Sequence, residues 1–89
     1  MTKKVAVIVN DRQQEALRMA VGLTLADNLV TVFVMERALT PGDMTDLNLQ
    51  TLGEMHAKIF ATIPGNGLTL LSTDEVARML VDFDVVIPY

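Results

Sequence analysis

The chain has 89 residues and weighs 9.8 kDa, which leaves room for one domain and excludes tandem catalytic and substrate domains. Surface scaling gives roughly 5,200 Å² exposed when folded against roughly 14,000 Å² unfolded, enough for one modest core. Seven Lys and Arg against eleven Asp and Glu leave a net charge of −4, a poor balance for gripping nucleic acid, and the lack of cysteine excludes disulfides, thiolate catalysis and thiolate metal sites.

Lys3 and Lys4 precede an apolar run at residues 5–9 (VAVIV) that is too short for a signal-peptide core, and no stretch approaches the ~20 apolar residues of a membrane span. The expectation is a cytoplasmic domain that engages no membrane. VAVIV is apolar at every position and β-branched at four of five, which predicts a strand covered on both faces, as in a parallel sheet. Asn10 and Asp11 offer N-cap oxygens, and residues 12–27 read as a helix. Its polar positions Glu15, Arg18 and Gly22 form a narrow stripe, so the apolar band is wider than one sheet face requires. Either this is a well-covered core helix, or it also meets another subunit.

Residues 29–35 (LVTVFVM) form a second β-branched run after a helix of crossover length, which predicts a right-handed βαβ unit with adjacent parallel strands. Thr40-Pro41-Gly42-Asp43 has the look of a helix start with a capping Thr, and Met44, Leu47, Leu52 and Met55 supply an apolar face. Beyond that point two readings stand. Helical spacing continues through His56, Ile59, Phe60 and Ile63 to the PGNG turn, giving four strands; alternatively the helix ends near His56 and residues 58–62 (KIFAT) are a strand, giving five. Residues 68–71 (LTLL) read as a short strand, Ser72 to Glu75 match a capping box, a helix runs to about Val81, and residues 85–89 (VVIPY) close the chain as a strand. Strand–helix alternation of this kind predicts a three-layer α/β sandwich with a mostly parallel four- or five-stranded sheet.

In such a sheet, ligands bind outside the carboxyl ends of the strands. That edge would carry Asn10, Asp11, Arg12, Glu36, Arg37, Thr62, Ser72 and Tyr89 as candidate ligand-binding residues, with Arg12 and Arg37 suited to a small anion beside helix N–H groups. The same residues also serve as ordinary caps and solvated loop charges. No catalytic residue, metal site or cofactor is expected. His56, the single imidazole, has Leu52, Gly53, Ile59 and Phe60 at helical spacing, none of which shares a metal, and NDRQQE after the first strand lacks the clustered glycines of a phosphate loop.

The opening KKVAVIVNDR, the helix ending ALRMAVGLTLADN, the segment LVTVFVMERAL and the closing LTLLSTDEVARMLVDFDVVIPY together resemble the DsrE/DsrF-like sulfur-relay family, which includes the TusD-type proteins. The resemblance covers roughly the first forty and last twenty residues. It implies a single DsrE-like domain over residues 1–89 with a five-stranded sheet, which selects the strand at residues 58–62. It also implies assembly as a homo-oligomer or as a hetero-oligomer with a cysteine-bearing family member. Active members carry a persulfide on a cysteine after the third strand, where this chain has Ala61-Thr62-Ile63-Pro64. A threonine hydroxyl stays protonated and cannot hold transferable sulfur as a thiolate does, so the resemblance points to a non-catalytic binding or assembly module. The alternative is a small-anion sensor or thiol-independent enzyme using the strand C-terminal edge.

Overall fold

Residues 4–9 are covered on both faces by later elements, and that coverage makes them a central strand. The computed structural model describes residues 2–89 as β1 (Lys4–Val9), α1 (Gln13–Leu25), β2 (Leu29–Val34), α2 (Asp43–Glu54), β3 (Lys58–Ala61), β4 (Thr69–Leu70), α3 (Thr73–Leu80) and β5 (Val85–Pro88). The strands form one sheet in the order β4-β3-β2-β1-β5, and every neighbouring pair is parallel. Residues 58–61 are therefore strand, and the long-helix reading falls. The backbone turns away at Met55 because the N–H of Ala57 reaches back to the Leu52 carbonyl at 2.9 Å and that of His56 to the Gly53 carbonyl at 3.0 Å. These two bonds are a Schellman stop. It places His56 in the left-handed region at φ +62°.

α1 ends in the same way, with Asp27 at φ +64° and the N–H of Asn28 bonded to the Leu23 carbonyl. Sequence reading looks for glycine at such stops; here the chain holds a histidine and an aspartate instead. Aspartate and histidine are among the side chains found most often at positive φ, though far less readily than glycine. The His56→Gly variant is accordingly expected to gain about 1 kcal/mol of stability in urea denaturation, from removal of the Cβ conflict.

Two cores flank the sheet. Val5, Val7, Val9, Val30, Val32, Val34 and Ala61 pack against Ala16, Leu17 and Ala20 of α1 and Leu52 of α2, whereas Ala6 and Phe33 face Val76 of α3 on the other side. Three layers result. The apolar surplus read on α1 is largely absorbed within the chain: Met19, Val21 and Leu23 pack half-buried on the first core, and Leu25 alone stands out in solvent.

α2 departs from its predicted face. Thr45 and Leu52 are buried, while Met44 and Leu47 are each more than half exposed and Met55 is exposed. Thr45 can point inward because its hydroxyl donates to the Thr40 carbonyl at 2.8 Å and accepts from the Gln14 amide. Nor does Thr40 cap this helix. Pro41 and Gly42 continue extended chain, Gly42 is the N-cap residue, and the first helical residue is Asp43. α1 likewise has no side-chain cap, and Arg12 rather than Asn10 or Asp11 stands at its N-cap position.

The capping box of α3 forms as read. The Ser72 hydroxyl accepts from the Glu75 N–H at 3.1 Å and the Glu75 carboxylate accepts from the Ser72 N–H at 3.0 Å. The bond from the Ser72 backbone, helped by the Ser72 side chain, holds the Glu75 carboxyl below its ordinary range. A carboxyl with a lowered native pKa stabilises the fold above its unfolded value, near 4.3, and loses that contribution as pH falls through the native value. Glu75→Gln should therefore destabilise the protein at neutral pH, and the gap to the wild type should close on acidification below that range in pH-dependent thermal melts.

Candidate functional site

Parallel strands deliver all their exits to one edge, and α1 opens there with Arg12 at its N-cap. Strand order sets the sequence of candidate residues along this edge: Ser72 after β4, Thr62 after β3, Glu36 and Arg37 after β2, Asn10 to Arg12 after β1, and Tyr89 after β5. Four intervals of about 4.8 Å separate the outer strands, so Ser72 and Tyr89 lie roughly 19 Å apart. The eight residues line one edge without converging on one point.

Those that do meet engage one another. The Arg37 guanidinium pairs with the Asp11 carboxylate, and Arg12 lies 3.8 Å from Glu15. The N–H groups of Asp11 and Arg12, which open α1, donate to the Tyr89 main-chain oxygen at 3.2 and 3.4 Å. β5 brings that oxygen into place through the bond from the Tyr89 N–H to the Ile8 carbonyl at 2.8 Å. Tyr89 thus holds the chain entering α1, while the N–H groups of Gln13, Gln14 and Glu15 in its first turn face outward without a side-chain cap. Ser72 is committed to its capping box. Asn10 and Thr62 are half-buried, and Glu36 stands exposed at φ +71°.

Sequence reasoning missed the residues that shape this edge. Gln13 donates from Nε2 to the Ala38 carbonyl at 3.0 Å and accepts from the Thr40 N–H at 2.9 Å. Asn66 does the same for Leu39, accepting from its N–H at 2.8 Å and donating to its carbonyl at 3.1 Å. Between these two clasps the loop after β2 drives the Leu39 side chain into the first core, where it is 2% exposed. The neighbouring Gly65 sits at φ +128°, and a Cβ there would come within 3.2 Å of the Ala38 Cβ. An amide bracketing a loop from another element has no sequence signature; the PGNG turn marked the place but not its partner.

What stays open at this edge is a shallow depression of about 400 Å³ lined by Asp11, Arg12, Gln13, Gln14, Glu15 and Thr40. Among the described residues no three His, Asp or Glu side chains gather to hold a metal ion, and no helix is long and apolar enough to cross a membrane. His56 lies at the opposite edge, beside Lys58.

No family model, curated protein or solved structure matches the chain.

Proposed function

We propose that this chain is a non-catalytic binding and assembly module of the DsrE-like type, acting as a homo-oligomer or as the partner subunit of a cysteine-bearing member in sulfur-relay-type chemistry. The observation that carries this reading is the self-engagement of the strand C-terminal edge. Both arginines there are paired with carboxylates, and the Asp11 and Arg12 N–H groups at the entry to α1 are taken by the Tyr89 main-chain oxygen. The exit of β3 presents Thr62, Ile63 and Pro64, whose chemistry supplies no nucleophile able to carry sulfur. Met44 and Leu47 meanwhile leave apolar surface on the outer side of α2, of the sort that association covers.

A second reading is favoured by the depression beside Arg12: a small anion bound there after Arg12 or Arg37 exchanges its carboxylate partner. Exposed ion pairs of this kind hold by about 1 kcal/mol or less, so such exchange is energetically open.

Sedimentation velocity from low to high micromolar concentration, on the wild type and on a Met44→Lys/Leu47→Lys variant, tests the first reading. Self-association, or a defined complex with a cysteine-bearing chain of the same fold, is expected for the wild type and its loss for the variant. A persulfide donor followed by intact-mass analysis should add no stable sulfur to this chain. A strict monomer that binds no such partner, or a reproducible sulfur adduct, overturns the reading. Saturable inorganic phosphate binding lost in Arg12→Ala/Arg37→Ala would support the anion sensor instead.

A further inference from the structure

At the edge where the strands begin, the sheet carries a cavity of about 240 Å³. Its wall includes Lys4 of β1, Thr31 of β2, Lys58 of β3, Met55 and His56 from the turn after α2, and Phe83 from the turn before β5. Register explains the grouping. Thr31 lies between Ala6 and Lys58 across the sheet, and Lys4 precedes Ala6 by two residues, so all three polar residues stand on the face that carries Ala6 and α3. α3 ends at Leu80, and Phe83 takes over the cover beyond it.

Two ammonium groups and an imidazole ring this cavity, and among the described residues none of the three forms an ion pair. The two ion pairs present lie at the opposite edge. Asp84 is the acid drawn to this rim, and one of its carboxylate oxygens accepts from the Lys4 main-chain N–H at 2.8 Å. The Lys4 ammonium instead stands 5.2 Å above the Phe83 ring, in cation–π contact. Thr31 supplies an independent observation. It is the one polar residue of β2 and 8% exposed, and its hydroxyl makes no hydrogen bond among the described residues. No buried side-chain polar atom among the described residues lacks a partner, so this hydroxyl is reached by water and is free to exchange that water for an acceptor from outside. Open space for such an acceptor is the cavity that Thr31 lines.

We propose that this cavity binds a small carboxylate with an aromatic or short apolar body. Lys4 and Lys58 hold its charge, the Thr31 hydroxyl donates to a carboxylate oxygen, and the body lies against Phe83 and Met55. The volume falls below the ~300–1,000 Å³ usual for drug-sized ligands and suits a single ring. The strained His56 closes the rim on the side of α2.

Titration of the full chain with benzoate, benzyl alcohol and acetate, followed by amide and methyl NMR, tests the site. Benzoate is expected to saturate with a Kd below about 1 mM and to shift Lys4, Thr31 and Phe83. Benzyl alcohol, which lacks the charge, and acetate, which lacks the body, should each bind about tenfold more weakly. Thr31→Val and Lys58→Met should each weaken benzoate by a similar factor while the amide spectrum stays folded. Lys58 is exposed, so that variant decides the matter if Thr31→Val unfolds. Benzoate binding no tighter than about 1 mM, equal binding of benzyl alcohol, shifts centred on the opposite edge, or Lys58→Met binding as the wild type does would each overturn the proposal.

Discussion

Phe33→Ala is expected to cost about 3–5 kcal/mol, which for a domain of this size lowers the melting temperature by roughly 15–30 °C. The reason is the thinness of the core beneath α3. Three side chains are fully buried there, Ala6, Phe33 and Val76, and Phe33 is the single large one. Its ring stacks on Phe60 at 5.9 Å between centroids and meets Phe83 edge-on at the same distance. Such aromatic pairs contribute about 0.5–1.5 kcal/mol beyond burial. Phe33→Leu keeps most of the volume and should lose only part of this, whereas Phe33→Ala leaves α3 with little to hold it. Differential scanning calorimetry of the two variants checks the order, and equal melting temperatures would show that the ring contributes nothing specific.

Leu39→Ala is expected to cost about 2–5 kcal/mol, an unusual sum for a loop residue. Leu39 fills the first core from between two strained or extended segments, and both of its main-chain polar groups are met by the Asn66 amide. Asn66→Ala should cost about 1–3 kcal/mol, since it leaves the Leu39 N–H and carbonyl without partners in a part-buried position. Asn66 also holds φ +59°, which alanine adopts less readily. Because each residue acts through the other, the double variant should lose measurably less than the two single losses added. Urea denaturation of the four proteins of this cycle reads the coupling, and strict additivity would separate the plug from its clasp.

Elements that follow from local pattern were legible in the sequence. VAVIV and LVTVFVM have no polar face to offer solvent, and they are the paired strands β1 and β2. The Ser72–Glu75 box is a contact between near neighbours, and it is formed. The strand at residues 58–61 could not be taken from periodicity, because Ile59, Phe60 and Ile63 fit a helix as well as a strand; what ends α2 is the pair of bonds around His56. Long-range polar contacts were not legible at all. Asn10 and Asp11 do not cap α1, because Arg12 stands at its N-cap with its N–H and that of Asp11 drawn to the Tyr89 main-chain oxygen, and the face of α2 is turned by a bond between Gln14 and Thr45. Parallel topology brings the candidate residues to one edge, where Arg37 pairs with Asp11 and Arg12 with Glu15. Thr31, lone among the apolar residues of β2, was the visible sign of the other edge.

β1 lies between β2 and β5, and its second partner is the last strand of the chain. The Lys4 carbonyl accepts from the Asp84 N–H at 2.8 Å across 80 positions of sequence. During synthesis β1 therefore stays half-paired until β5, some 80 positions later, has also emerged. A product stalled or terminated before β5 would offer the open edge of β1 to any other strand nearby.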